Sequence, residues 1–533
     1  MQPDRVPRLS LFRTKSPEQL VAESKAPERR LKRALGPLDL TALGVGATIG
    51  AGIFAMTGTA AAGQQTATSG VLDTPVLSLM LGSAVNGRPA AGPAIMLSFM
   101  LVAVACAFAA LCYSELAAMI PVAGSAYTYS YATLGELFAW IIGWDLILEY
   151  AVGNIAVASS WSGYFVKLCL SLFNLKLPLW AVADLKTAHE LIAQGGAATG
   201  AYSSTVLPRL LGHEVALNLP AFLVVALLTW LLVRGITESA ALNTAMVILK
   251  TTIVVFFIAL GAFYVHPSNW HPFAPNGFTG VMSGAAIVFF AFIGFDAVST
   301  ASEEARNPQR DIPIGILASL AICTVLYVAV SAVLTGMQSY TRYVDDAAAI
   351  ATAVEVIHKP WIEAVISAGA VAGMTSVLLV FQLGMPRIFM SMSRDGLLPA
   401  VFAKVHPKYR TPHVTTILAG VIVGIPALFT DVGWAADLTN IGTFFAFVLV
   451  CGGVLALRRT QPDRPRPFRC PASPWFPLAG IFVCGALMIA LPVLTWIRFF
   501  VWLLIGLAIY FLYGRTHSSL AQMPAVAVAE DAA

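Results

Sequence analysis

The feature that most constrains this chain is its apolar runs, roughly 18 residues or longer, divided by short polar stretches. Inside a bilayer a backbone amide finds no water, so a run of that length has to satisfy its hydrogen bonds within itself, as a helix. About 20 residues at 1.5 Å each match the hydrocarbon thickness. The expected fold class is therefore an all-α membrane protein. Composition agrees: 58% of the 533 residues are hydrophobic and only 11% are charged, where a soluble chain carries about a quarter charged.

The runs give twelve candidate spans, near residues 38–62, 94–120, 135–173, 218–233, 243–265, 277–301, 312–335, 361–392, 414–430, 434–457, 475–494 and 498–514. The third and eighth exceed one crossing and predict strong tilt. The resulting division is an arm over 1–36, a first five-helix unit over 37–265, a second over 277–457, a Pro/Arg-rich loop with two helices over 458–514, and a tail over 515–533.

Charge sets the orientation. The arm is basic, with Arg5, Arg8, Arg13, Lys15, Lys25, Arg29, Arg30, Lys32 and Arg33, and has an amphipathic patch at Leu9, Leu11 and Phe12. Its charged start is not followed by an apolar run and a small-residue cleavage site, so no signal peptide is expected. With this arm inside, roughly 23 Lys and Arg fall on cytosolic segments and about 8 on external ones, so both termini are expected in the cytosol of a cytoplasmic (inner) membrane protein. The clusters Lys404, Lys408, Arg410 and Arg458, Arg459, Arg464, Arg466, Arg469 then mark the cytosolic side. Basic arms beside spans set topology, so no nucleic-acid partner is expected.

Several chemistries drop out. No Ser-His-Asp order, HExxH or phosphate-binding glycine loop falls in a suitable context, so no enzyme and no cofactor is expected. The seven cysteines form no CxxC pair, which implies neither a disulfide framework nor a metal site. All eight histidines lie in loops or tails, which excludes an intramembrane histidine relay.

Two spans are interrupted. The first reads Gly44-Val-Gly46-Ala-Thr-Ile-Gly50-Ala-Gly52, and each glycine costs a helix about 1 kcal/mol relative to alanine. Five spans later, residues 289–296 read Phe-Phe-Ala-Phe-Ile-Gly-Phe-Asp, with Gly294 and Asp296 at similar depth. Matching breaks five helices apart predict two inverted five-helix repeats with a binding site at the midplane; close helix packing through small residues is the plainer alternative. If the first span unwinds at Ile49-Gly50-Ala51-Gly52, the following amides attract an anion. The carbonyls before the break, near Thr48, and those near Phe290 and Ile293 attract a cation. An α-carboxylate beside an α-ammonium fits that pattern, and a neutral sugar exploits it less well.

Charges within spans are costly and functional by default. Lys250 lies deep in the fifth span, where it either titrates and couples transport to a proton or ties the first and eighth spans together as a fixed ammonium. Asp145 and Glu149, four residues apart, share a helix face. Glu149 is the candidate proton-linked carboxylate, whereas Asp145 is expected to cap or pair nearby. Asp296 is expected to support unwound backbone.

Four segments carry a family resemblance: GVGATIGAGIFAMTG at 44–58, FAWIIGWDLILEYAVG at 138–153, FFAFIGFDAVSTASEEARNPQRDIPIGI at 289–316 and MPRIFMSMSRDGLLP at 385–399. With these, the chain from about Leu35 to Tyr513 resembles the cationic amino acid transporter family of the amino acid–polyamine–organocation superfamily. The resemblance implies a LeuT-like fold, a five-plus-five inverted repeat with two further helices. It also implies an amino acid substrate whose carboxylate meets the amides of Ala51 and Gly52, and whose ammonium meets the carbonyls of Thr48, Phe290 and Ile293. Phe290 would be an aromatic gate, Phe295 pocket lining, and Lys250 the occupant of a sodium position in proton-driven relatives. Met374 and Ser376 look like further pocket lining.

Two stretches depart from that pattern. The segment 63–92 is extra, and its run Val71 to Leu81 is expected to form an external amphipathic helix. The segment 176–215 is long, with Gly195-Gly196 at its centre. Cover for an outer vestibule, a docking site for an unknown partner and disordered decoration all remain open for both. Phe290, Phe295 and Met374, with no acidic residue in the pocket, predict a small or medium neutral side chain. The expected function is proton-coupled amino acid symport by alternating access; exchange, cationic substrates and a non-transporting sensor or scaffold are the alternatives.

Overall fold

The structure, a computed structural model, describes residues 11–16, 18–20, 34–64, 70–82, 87–122, 124–195, 200, 202–235, 240–344, 346–409 and 411–522. Leu9, the arm's basic residues apart from Arg13 and Lys15, Gly196, Arg410 and the tail after Gln522 lie outside the described residues.

The first apolar run forms α1 (Pro37–Thr48) and α2 (Gly52–Ala62), two halves bent by 46°. Then come α3 (Ile95–Met119), α4 (Ser125–Thr133), α5 (Glu136–Phe173), α6 (Leu185–Gln194), α7 (Leu219–Val233) and α8 (Ala240–Gly261). The second half of the chain holds α9 (Gly277–Val288), α10 (Pro308–Met337), α11 (Ala349–Val354), α12 (Pro360–Arg394), α13 (His413–Ala427), α14 (Val432–Thr460), α15 (Trp475–Ile489) and α16 (Val493–Ile509). Among the described residues, eight helices are long and apolar enough to cross a membrane, nine with the bent pair counted as one span. The helices α7, α13 and α15 are shorter apolar ones. This is a mostly helical, multi-pass membrane protein, and each of these helices falls on one of the expected runs.

Local chemistry sets the helix ends. The Asn218 side chain accepts the Ala221 amide at 3.3 Å to open α7, and Asp431 accepts the Trp434 amide at 2.9 Å to open α14. Such caps satisfy amides that have no carbonyl one turn back. The helices pack in two groups: α1 and α3 with α9 and α10, and α5 with α7, α12 and α13. Helix α8 lies between them, touching α1, α10 and α12.

Both inserts take on structure. Val71 to Leu81 is not the single amphipathic helix expected: it forms a tight turn at Val71–Asp73 and a five-residue helix at Val76–Met80. Asp73 accepts the Gly70 amide at 3.2 Å, and Pro75, which has no amide to continue a helix, follows an extended Thr74. The piece then ties to the turn between α15 and α16, Val76 N donating to Leu491 O at 3.1 Å and Val493 N to Thr74 O at 3.2 Å. The other insert carries α6 and a two-stranded hairpin, β1 (Arg209–Leu210) with β2 (His213–Glu214), over a small core of Leu179, Ala183, Ala188 and Ala216. His189 and Arg209 hold the Glu214 carboxyl below its usual range, whereas burial raises that of Asp184.

The end of the first insert is the better anchored. Gln64 and Arg88 exchange backbone hydrogen bonds at 3.1 and 2.9 Å, and the buried Arg88 guanidinium pairs with buried Asp437 of α14. Removing one partner of a buried pair strands the other charge. We expect Arg88→Ala to destabilise the protein by about 3 kcal/mol or more, and Arg88→Met with Asp437→Leu to recover most of that loss. Thermal unfolding of the two variants in detergent checks it.

Candidate midplane binding site

Helix α1 ends where Ile49 turns extended (φ −74°, ψ 102°), and the chain restarts at Ala51 as a wide five-residue turn, Gly52–Met56. Opposite it, α9 tightens over Phe289–Phe292, breaks at Ile293 (φ −60°, ψ 128°) and resumes at Phe295–Ala301. Gly294 between them has φ 120°, a region that side chains disfavour. The two breaks touch through their glycines. A Cβ on Gly294 would lie 2.7 Å from the Ala47 carbonyl oxygen, and one on Gly52 would run into the Ala291 backbone.

These breaks leave two kinds of helix end side by side. The amides of Ala51 and Gly52 open a half-helix, and the carbonyls of the last turn of α1 close another. Ile53 and Phe54 amides donate back to Gly50 O at 3.2 and 3.3 Å, which fixes the restart, while Thr48 Oγ1 turns back to Gly44 O at 2.7 Å. Thr48, Ile49, Gly50, Ala51, Gly52, Phe290, Ile293 and Phe295, which form the two breaks, are all buried, as is Met374 of α12. The Phe295 ring packs against Phe447 and Tyr113 at 5.4 and 6.4 Å between centroids.

One residue here escaped the sequence reading. The Tyr327 hydroxyl of α10 reaches Thr48 O at 3.0 Å and Ala291 O at 2.8 Å, joining one carbonyl from each break. A lone tyrosine in an apolar span gives no signal beyond its hydroxyl. Tyr327→Phe removes the shared donor and keeps the ring, so substrate affinity should fall about tenfold, with a stability loss of about 1–3 kcal/mol from the two buried carbonyls left without it. Binding by equilibrium dialysis checks it.

The Lys250 ammonium is fully buried in α8 and donates to Gly46 O in α1 and to Ser376 Oγ in α12, the latter at 3.3 Å. Ser376 Oγ in turn donates to Gly373 O at 2.8 Å, so Ser376 belongs to the Lys250 corner. Gly373 admits the lysine stem: a Cβ there would lie 3.0 Å from Lys250 Cβ. Glu149 Oε2 accepts from Thr443 Oγ1 of α14 at 2.9 Å, and the Gly294 amide donates to Asp296 Oδ1 at 3.3 Å. Asp145 differs from expectation. Among the described residues it neither caps nor pairs: α5 runs on unbroken past it, α14 faces it with Gly442, and neither carboxylate oxygen has a hydrogen-bond partner there.

Above the breaks, beside α6, lies a cavity of about 950 Å³ lined by Lys167, Tyr202, Asp346, Glu355, Glu363 and Asp431 among others. The layer between is held by Tyr164, whose hydroxyl donates to Phe54 O at 2.7 Å and accepts the Ile350 amide at 3.2 Å.

Comparison with known proteins places this architecture. The model of the amino acid permease family matches residues 35–521. A branched-chain amino acid permease, BcaP, of Bacillus subtilis is 45% identical over 96% of this chain and 99% of its own. A methylthioribose transporter of the same organism is 42% identical over 96% and 99%. Cationic amino acid transporter 9 of Arabidopsis thaliana is 35% identical over 87% of this chain and 74% of its own. The chain therefore belongs to the amino acid permease family, and it is a membrane transporter of amino acids, not an enzyme.

Proposed function

We propose that the substrate is a neutral L-amino acid with a small to medium apolar side chain, held between the two breaks and released by alternating access. The observation that carries this reading is the meeting of two helix ends, the half-helix start at Ala51 and Gly52 and the carbonyl end of α1, beside the Gly52–Ala291 contact. Amides and dipole attract the carboxylate, and carbonyls the ammonium. Phe290, Ile293, Phe295 and Met374 surround the side chain with apolar atoms, which supports a branched aliphatic substrate such as the one the BcaP relative is named for. A cationic side chain would want a carboxylate beside it, and these residues provide none.

The energy source in this reading is a proton. Lys250 bridges α1 and α12 from inside the membrane, so loss of its proton would loosen the break that holds the carboxylate. Glu149 is the candidate carboxylate on the proton's route, with Asp296 and Gly294 as structural support for the second break. The twelve spans form two inverted units, 37–265 and 277–457, followed by a loop and two helices over 458–514. The arm 1–36 and the tail 515–533 face the cytosol, and the segments 63–92 and 176–215 face outward.

A second reading rests on the methylthioribose transporter, whose identity to this chain is nearly that of BcaP. A thiosugar would find apolar room for its methylthio group but no use for the charge pattern. The deciding experiment is uptake into proteoliposomes without internal substrate, with and without an inward pH gradient. Symport predicts gradient-driven accumulation of leucine or valine; uptake that needs internal substrate marks an exchanger, and uptake of methylthioribose alone overturns the amino acid assignment.

A further inference from the structure

Glu149 has two carboxyl neighbours, Asp145 one turn earlier on α5 and Asp296 at the second break, and the three are served unequally. Asp296 accepts the Gly294 amide at 3.3 Å. Glu149 Oε2 lies 2.9 Å from Thr443 Oγ1, and the same hydroxyl lies 3.1 Å from Thr439 O. Its one proton goes either to Glu149 or to Thr439 O, and its oxygen can accept from a protonated Glu149. Glu149 is therefore satisfied in both of its protonation states. Asp145 is fully buried, and among the described residues neither of its oxygens has a hydrogen-bond partner and no cation lies within ion-pair distance.

The seat of Asp145 suits an uncharged group. Helix α14 presents Gly442 to it, and a Cβ on that glycine would lie 2.6 Å from Oδ1 and 3.4 Å from Oδ2, so the carboxyl packs directly on the α14 backbone. An ionised carboxylate taken out of water with neither donor nor cation bears a steep desolvation cost, and a neutral acid bears far less. The neighbouring titratable groups bring no relief. Tyr113 of α3, Tyr150 of α5 and Asp296 lie within electrostatic reach of Glu149, and Arg387 of α12 within reach of Tyr150. None of them supplies a positive charge at Asp145. Of the three carboxyls, Asp145 is the one whose surroundings fit only the protonated form.

We propose that Asp145 is a proton-holding residue of the transport cycle, which carries its proton while packed on Gly442 and releases it only when water reaches the seam between α5 and α14. On release the carboxyl O–H bond breaks, the proton passes to that water, and the carboxylate left behind is solvated by it. Protonation of Asp145 thus favours the conformation seen here, and its ionised form favours one in which the seam is wet. This role rests on the proton-symport reading above, but the protonation of Asp145 is measured without substrate or gradient, so the two fail separately.

The test is infrared spectroscopy of the purified full-length protein in liposomes, on the parent and on Asp145→Asn, Asp145→Ala and Glu149→Gln. The parent should show the carbonyl stretch of a protonated carboxylic acid at neutral pH. Both Asp145 variants should lose that band, and Glu149→Gln should keep it. A band unchanged in both Asp145 variants, or lost in Glu149→Gln instead, would overturn the assignment. In proteoliposomes, Asp145→Asn should lower accumulation driven by a pH gradient about tenfold more than it lowers leucine counterflow. Equal loss of both marks a structural residue and overturns the proton role. If the parent itself accumulates no leucine under a gradient, the symport reading falls, and the infrared band alone then decides whether Asp145 holds a proton.

Discussion

Lys250→Ala is expected to abolish accumulation driven by a pH gradient, with a fall on the order of 100-fold. The ammonium holds Gly46 O of the first break and Ser376 Oγ of α12, so its loss unpins the turn that presents the Ala51 and Gly52 amides. The fold should survive. Removing a buried charge returns its desolvation cost and thereby offsets the lost hydrogen bonds. Lys250→Met fills the same volume without a charge and should show the same transport loss with less destabilisation than alanine. Gradient-driven uptake in proteoliposomes, beside thermal unfolding, reads both. Undiminished accumulation by either variant would remove Lys250 from the coupling.

Gly294→Ala should be a severely damaging small substitution. Alanine at φ 120° costs about 1–3 kcal/mol in backbone strain alone. The new methyl also lies 2.7 Å from the Ala47 carbonyl oxygen, so α1 and the second break have to part. We expect transport to fall on the order of 100-fold, because both halves of the site shift together. Gly485→Ala in α15 is the control: nothing lies within 4 Å of its Cβ, and it should stay within about 0.5 kcal/mol of the parent.

The membrane helices were legible because hydrocarbon leaves a 20-residue apolar run one solution, and each long or shorter apolar helix among the described residues falls on a predicted run, whereas α4, α6 and α11 fall between runs. The breaks were legible too, because glycines in mid-span have no helical reason to be there. Other features depend on contacts between distant segments. Tyr327 matters only because α10 passes both breaks, and Arg88 only because Gln64 folds it back onto Asp437. Asp145 looked like a capping or pairing residue from its spacing, but its neighbour across the interface is a glycine. The run Val71 to Leu81 looked like one helix by hydrophobicity, and Pro75 divided it. The basic arm read as a topology signal, and nothing in its composition announced that Lys15 would be buried against Asp395.

The central claim is that the site reads a carboxylate and an ammonium together. The direct measurement is competition against labelled leucine uptake in proteoliposomes. The competitors are leucine, the same skeleton without its carboxylate (3-methylbutylamine), the same skeleton without its amine (4-methylpentanoate), and methylthioribose. Leucine alone should compete at low concentration, because each half-zwitterion leaves one set of helix ends unmatched. Equal competition by either half-molecule, or labelled methylthioribose entering while leucine does not, would contradict it.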